Sequence, residues 1–185
     1  MILVDSRRIQ RMLADGFWGT RTLFDALLSN VARFPDQEAV VDPPDRATFT
    51  DGAPRRLTWS ELLSDVEHLS AVLYQYGLRR DDIVVVQLPN FVEQVVTYLA
   101  CHRLGIVVSP LPPAYREHEI GHALHLTHHL FGDDKNRGPA LIDLTEFYKG
   151  YGLEMRTAAA TEAANDERVD DGKSCLLYTS PSPRD

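Results

Sequence analysis

Three residues near the middle of the chain, His118, Glu119 and His122, have the spacing of a zinc-binding helix. In the pattern His-Glu-x-x-His the two histidines lie one helical turn apart on the same face, so both imidazoles can bind one Zn²⁺ ion. The glutamate between them can act as the general base that activates a metal-bound water. The pattern therefore predicts metal-dependent hydrolysis as one hypothesis for this chain.

The residues that follow this pattern favour a different interpretation. Four histidines fall within one narrow stripe of a helical wheel: His118, His122, His125 and His129. The opposite side of the wheel is mainly apolar, as on a helix that packs one face against a core. A metzincin-type zinc peptidase needs a glycine in place of His125 to break the helix, and without that break His128 lies roughly 80° from the stripe. We interpret the stripe as a solvated helix face and keep a zinc metallopeptidase as an alternative.

Other side chains with nucleophilic or phosphate-binding potential lack the context that their chemistry requires. Ser60 and Ser109 do not stand in the strand-to-helix turn of a nucleophile elbow. Cys101 lies within an apolar helical pattern, which is typical of a packed thiol rather than a nucleophile. The chain contains neither Gly-x-Gly-x-x-Gly nor a Walker-type phosphate loop. The sequence therefore assigns no catalytic, cofactor-binding or metal-binding residue.

Composition and charge exclude several classes of protein. The net charge of −8 argues against non-specific binding to nucleic acid, because such binding needs a basic surface. No apolar run approaches the ~18 residues of a membrane-spanning helix, and the amino terminus lacks the apolar core of a secretory signal. The two cysteines do not make a disulfide framework. These features predict a soluble, cytoplasmic protein with no transmembrane segment.

The elements that must position any site are clearest between residues 83 and 113. Ile83–Leu88 is rich in β-branched residues, as in a strand that is covered on both faces. Asn90 is expected to cap a following helix, Gly105 to end that helix, and Ile106–Val108 to form a second buried strand. Strand, helix and strand in this order form a βαβ unit. We therefore predict an α/β fold, part of a doubly wound and mainly parallel sheet with flanking helices.

The flanking segments add further elements to this unit. Thr58 and Glu61 have the spacing of a capping box, in which each side chain accepts a hydrogen bond from the other residue's amide. Glu38–Asp42 and Ala47–Thr50 flank a Pro-Pro-Asp turn and predict a β-hairpin. Apolar periodicity predicts further helices at 22–33, 58–77, 116–128 and 147–164. It also predicts one further strand at 139–144.

We divide the chain into an amino-terminal arm (1–16), a main unit (17–170) and a tail (171–185). Cys175–Asp185 reads CLLYTSPSPRD and shows no helical or strand pattern. This string resembles the translated read-through of a sequencing adapter. We therefore expect a disordered tail that is no part of the fold.

Four segments, taken in order, resemble the amino-terminal portion of the adenylate-forming enzymes, the superfamily of acyl-CoA synthetases, peptide-synthetase adenylation domains and luciferases. They are FWGTRTLFDALLSNVARFPDQEAVVD (17–42), LTWSELLSDVEHLSAVLYQYGLRRDDIVVVQLPN (57–90), YLACHRLGIVVSPLPPAYREHEI (98–120) and ALIDLTEFYKGYGLEM (140–155). The segment Tyr-Arg-Glu-His-Glu at 115–119 is most similar to the cyclohexanecarboxylate-CoA ligase and medium-chain acyl-CoA ligase branch.

The resemblance implies ATP-dependent activation of a carboxylic acid, with Mg²⁺ and CoA as further requirements. The family's Thr-Ser-Gly-Thr-Thr-Gly-type loop, its Tyr-Gly-x-Thr-Glu segment and its carboxy-terminal catalytic lysine have no counterpart in this sequence. Members of the family are more than twice as long, so we expect a truncated acyl-CoA synthetase that is itself inactive. A non-catalytic, stand-alone α/β binding domain is a second alternative, beside the zinc metallopeptidase.

Overall fold

A computed structural model describes residues 4–48, 53–131, 141–142 and 174–178, with side chains as far as residue 124. The helices are α1 (Ser6–Ala14), α2 (Leu23–Arg33), α3 (Trp59–Gln75), α4 (Val92–Leu104) and α5 (Glu117–Phe131), with a short 3₁₀ turn at Arg46–Thr48. The strands are β1 (Glu38–Val41), β2 (Arg56–Thr58), β3 (Ile83–Gln87), β4 (Val107–Pro110), β5 (Leu141–Ile142) and β6 (Ser174–Tyr178). Within these residues no helix has the length and apolar character to cross a bilayer.

The core of the fold is a parallel sheet with strand order β4-β3-β6-β5. Ile83 of β3 lies opposite Val107 of β4 on one side and opposite Ser174 of β6 on the other, and all three strand pairs are parallel. All five residues of β3 are buried. A β-branched strand in the interior of a parallel sheet was expected from the sequence, because such strands are covered on both faces.

Helices cover both faces of this sheet, which confirms the doubly wound α/β prediction. Val84 and Val86 belong to the main core cluster, to which α3 and α4 contribute most of the helical side chains. Val85 points to the other face and packs with Ile120 and Leu124 of α5. Because alternate residues of a strand face opposite sides, this split places α3 and α4 on one face and α5 on the other.

The predicted hairpin is wrong in its second strand. β1 pairs antiparallel with β2, with Val41 opposite Arg56, and residues 46–48 form a 3₁₀ turn instead of a strand. The reason is the side chain of Arg46, which is only 1% exposed and pairs with the buried carboxylates of Asp42 and Glu93.

The helix ends follow local sequence signals at most positions. Thr22 with Asp25 and Thr58 with Glu61 both form complete capping boxes, the second of which was predicted. Gly105 ends α4 in the left-handed conformation with φ 72°, as predicted. The prediction that Asn90 caps α4 is wrong, because the cap residue is Phe91 and its side chain makes no capping hydrogen bond.

The remaining predictions fall on the ends of the chain. α1 lies in the predicted amino-terminal arm and buries none of its residues. β5 lies inside the predicted strand 139–144, whereas the predicted helix 147–164 lies outside the described residues.

The expected disordered tail is wrong at Ser174–Tyr178, which forms β6 between β3 and β5. An apolar run as short as Cys-Leu-Leu-Tyr is long enough for one strand of a buried sheet. The adapter interpretation and the domain boundaries stay predictions.

Candidate functional site

The carboxyl ends of β3 and β4 form the place in this fold where a ligand is expected. α4 follows β3 on one face of the sheet, and α5 follows β4 on the opposite face. In open α/β sheets, ligands bind outside the carboxyl ends of two neighbouring strands whose connections leave to opposite faces. We refer to residues 87–90 and 110–115, which follow or end these strands, as the switch-point edge.

Gln87 holds the two halves of the switch-point edge together. Its side chain is buried, and Nε2 donates hydrogen bonds to the backbone oxygens of Pro112 and Tyr115, both at 3.0 Å. Leu111 N donates to the Val86 oxygen at 2.8 Å and extends the pairing beyond the end of β4. The amide oxygen of Gln87 has no hydrogen-bond partner among the described residues. The edge therefore offers a buried acceptor and backbone groups, but no acid or base.

The start of α4, beside this edge, is held by a carboxylate from elsewhere in the chain. Oδ1 of Asp42 accepts a hydrogen bond from the backbone amide of Val92 at 2.8 Å. Its Oδ2 accepts from the backbone amide of Arg55 at 2.8 Å and from the guanidinium of Arg46. A buried anion at a helix amino terminus satisfies an otherwise unpaired amide and interacts favourably with the helix dipole. Asp42 therefore supplies the cap that Asn90 does not.

Asp42 is one member of a buried ion cluster that also contains Arg46, Arg55, Asp65 and Glu93. Arg46 donates to both carboxylate oxygens of Glu93, at 3.0 and 3.1 Å, which is a bidentate pair. Arg55 donates to Asp65 at 2.8 Å and to Glu93 at 3.3 Å. The Arg46 guanidinium also lies 5.1 Å from the ring centre of Phe91. The cluster thus links four segments, which are the 3₁₀ turn, the residue before β2, helix α3 and helix α4.

The carboxylates around Arg55 favour its charged form. Burial alone lowers the pKa of Arg55, but the hydrogen bond to Asp65 and the charges of Asp65 and Glu93 outweigh that effect and raise the pKa above its ordinary value. Each carboxylate of the cluster accepts a hydrogen bond from at least one of the two guanidinium groups. The cluster is therefore a structural support for the switch-point edge and not a set of available acids.

Of the histidines singled out in the sequence, the structure describes the side chains of His118 and His122, and these two show no peptidase centre with any other described residue. His118 and His122 are exposed on α5, and Ile120 and Leu124 are buried on its other side, as the solvated-face interpretation predicts. Oε2 of Glu119 accepts the Arg116 amide at 3.0 Å, and this backbone hydrogen bond is the main cause that lowers the pKa of Glu119. The described side chains contain no group of three metal-ligating residues.

Cys101 is a packed thiol, as predicted. It is fully buried in the main core cluster, and burial raises its pKa to about 12. A thiol with so high a pKa is not a thiolate at neutral pH and cannot act as a nucleophile.

A shallow groove of about 470 Å³ runs along the outer side of β4. Its lining is mainly apolar and consists of Tyr98, His102, Gly105, Ile106, Val107, Val108 and Pro110. The groove therefore offers little chemistry of its own, although Val107 is 46% exposed there. Apolar exposure on a parallel strand marks a surface that suits further packing.

The comparisons with known proteins agree with the fold. The family model described as AMP-binding enzyme matches residues 27–129, more than half of the chain. The chain belongs to this family. The matched range includes both capping-box positions of α3, the βαβ unit of β3, α4 and β4, and most of α5. The partial α/β sheet corresponds to the amino-terminal domain of adenylate-forming enzymes, as the resemblance implied.

Individual relatives are longer and chemically diverse. Pyochelin synthase PchD of Pseudomonas aeruginosa is 34% identical over 112 residues, which cover 60% of this chain and 19% of that protein. A 4-chlorobenzoate–CoA ligase from an Arthrobacter species is 26% identical over 170 residues, covering 89% and 29%. The crystal structure of VinN matches the fold with a TM-score of 0.56 at 20% identity, covering 84% of this chain and 31% of its own. The chain thus spans about a fifth to three tenths of the length of these relatives.

The described residues of the switch-point edge and of the ion cluster do not fit the nucleotide and Mg²⁺ that the AMP-binding family implies. Phosphate binding needs a glycine-rich loop with free backbone amides, and this sequence has none of that type. Mg²⁺ needs available oxygen ligands, whereas the carboxylates of Asp42, Asp65 and Glu93 are engaged by Arg46 and Arg55. No catalytic step is therefore assigned to a residue of this chain.

Sequence reasoning missed the residues that build the edge. Gln87, Asp42, Arg46 and Glu93 carry no local motif, and Asp42 contacts a backbone amide 50 positions away. The one available signal was a polar residue, Gln87, at the end of an otherwise apolar strand. Such a side chain must find partners when it is buried.

Proposed function

We propose that this chain is the amino-terminal part of an acyl-CoA ligase. The carboxylate oxygen of the substrate attacks the α-phosphorus of Mg-ATP, and pyrophosphate leaves to give an acyl-adenylate. The thiol of CoA then attacks the acyl carbonyl, and AMP leaves as the thioester forms. The observation that carries this proposal is the family match over residues 27–129, which contains the βαβ unit of β3, α4 and β4.

A medium-chain or alicyclic carboxylic acid is the proposed substrate class. Support comes from the segment Tyr-Arg-Glu-His-Glu at 115–119, which begins at the last residue of the switch-point edge. Two of the relatives named above are pyochelin synthase PchD and a 4-chlorobenzoate–CoA ligase. An aromatic acid is therefore the main alternative to this substrate class. Cytoplasmic location is part of the same proposal, because ATP and CoA are intracellular substrates.

The role proposed for this part of the enzyme is structural. The buried ion cluster and Gln87 hold the start of α4 and the loop after β4 in one arrangement. A rigid edge of this kind positions the segments that carry the reacting groups, which this chain lacks. We therefore expect the isolated chain to have no ligase activity.

Pyrophosphate exchange tests the proposal on the complete product of the open reading frame that contains this chain. Acid-dependent incorporation of labelled pyrophosphate into ATP is expected with octanoate or cyclohexanecarboxylate. Formation of a CoA thioester then separates a CoA ligase from an enzyme that loads a carrier protein. Faster exchange with 4-chlorobenzoate or salicylate would overturn the substrate class, and no exchange with any of the four acids would overturn the ligase assignment. The isolated chain is the negative control.

A further inference from the structure

The exposed face of α5 carries two histidines that are one helical turn apart. His118 and His122 are four residues apart in one uninterrupted helix, so their Cβ atoms lie about 5–6 Å apart. Both side chains are exposed, and Ile120 and Leu124 anchor the opposite side of the helix in the protein. The orientation of the face towards solvent is therefore determined by packing.

The surroundings of the pair favour a cation. Neither imidazole makes a hydrogen bond to another residue in the part of the chain that the structure describes with side chains. Exposed Glu117 and Glu119 flank His118 on the same helix. Imidazole nitrogen is a preferred ligand of zinc, copper and nickel.

We propose that His118 and His122 form a surface binding site for one divalent transition-metal ion, with water completing the coordination shell. The site differs from a peptidase centre in that it assigns no role as a base to Glu119, which caps the first turn of α5. It does not depend on the proposed ligase function, because it uses only residues of this helix.

The structure also suggests a consequence of metal binding. Among the side chains that the structure describes, Val85, Ile120 and Leu124 form the small buried cluster that packs α5 against the sheet. A metal ion that bridges two successive turns binds the helical form and not the unfolded chain, and so it stabilises α5 by mass action. We therefore expect the melting temperature of the chain to rise with added zinc.

Zinc chloride titrated onto the purified, tag-free chain by calorimetry tests the site. The unmodified chain should bind one equivalent, and His118→Ala or His122→Ala should weaken binding at least about tenfold, as loss of a chelating partner does. His68→Ala and His102→Ala are the matched controls. Each removes an exposed histidine from a helix where no second histidine stands four residues away, and each should leave the affinity within about twofold.

Further variants keep the test decisive. Circular dichroism of each variant establishes that α5 and the rest of the fold are retained. Glu119→Gln should keep zinc affinity within about threefold, because this side chain is not a ligand in the proposed site. The proposal is overturned if the unmodified chain binds zinc more weakly than about 1 mM, if the His118→Ala/His122→Ala double variant retains the bound equivalent, or if His102→Ala causes the same loss.

Discussion

Replacement of Arg46 by methionine should destabilise the fold by about 3–5 kcal/mol, because it leaves two buried carboxylates without their shared guanidinium. Arg46 is 1% exposed, and its partners Asp42 and Glu93 are 0% and 6% exposed. Methionine retains an apolar side chain of similar length beside Phe91, so the change removes charge and hydrogen bonds more than it removes volume.

The magnitude follows from the contacts that are lost. Arg46 makes one hydrogen bond to Asp42 and two to Glu93, and each charge-assisted bond contributes about 1.5–3 kcal/mol. A simple sum is too high because Arg55 stays beside Glu93 at 3.3 Å, and because two backbone amides still donate to Asp42. The measured cost of breaking buried pairs, about 3–5 kcal/mol, is the appropriate range.

Urea unfolding followed by circular dichroism measures this difference. Arg56→Met is the matched control, because Arg56 and Glu38 form a pair whose side chains are 62% and 52% exposed. Such a surface pair contributes about 0–1 kcal/mol. Arg46→Lys should fall between the two, because lysine keeps the charge but cannot make the bidentate pair. If Arg46→Met and Arg56→Met shift the midpoint equally, the argument for a buried, stabilising cluster is refuted.

Three further outcomes are expected. The backbone amide of Thr58 lowers the pKa of Glu61 from its ordinary value of 4.5, so this contribution to stability is complete above pH 4.5 and is lost as the pH falls through the lower folded-state pKa. Glu61→Gln should flatten that acid limb of a stability–pH curve, and an unchanged limb would contradict the cap. In a Cys175→Ser background, Cys101 should react with a thiol reagent at pH 8 only at the rate of unfolding, and fast labelling of the native chain would contradict its burial. Gln87→Leu should cost about 1–3 kcal/mol by removing the donor to the Pro112 and Tyr115 oxygens, and faster hydrogen exchange at Leu111 is the accompanying signal to measure.

Local signals in the sequence predicted much of the fold. Three of these signals depend only on neighbouring residues in the chain. They are the β-branched run of β3, the capping box of Thr58 with Glu61 and the left-handed Gly105. Their consequences therefore do not depend on what packs against them. The family was also predictable from the sequence, because the segments that resemble adenylate-forming enzymes are recognised by their residues and by their order along the chain.

The candidate site was not predictable in the same way. The partner of β1, the cap of α4 and the position of β6 each depend on contacts between residues far apart in the chain. Asp42 illustrates the point, because its sequence neighbours indicate only the end of a strand. Its role at Val92 exists only after β1 and α4 are brought together.

The amino-acid sequence by itself determined the parallel βαβ unit, most helix ends and the family, because backbone propensity and short-range hydrogen bonds decide those features. Only the tertiary structure decided that Asp42, Arg46 and Glu93 meet at the start of α4 and that Gln87 ties β3 to the loop after β4. Buried charged and polar groups need partners, and in this fold those partners come from distant segments.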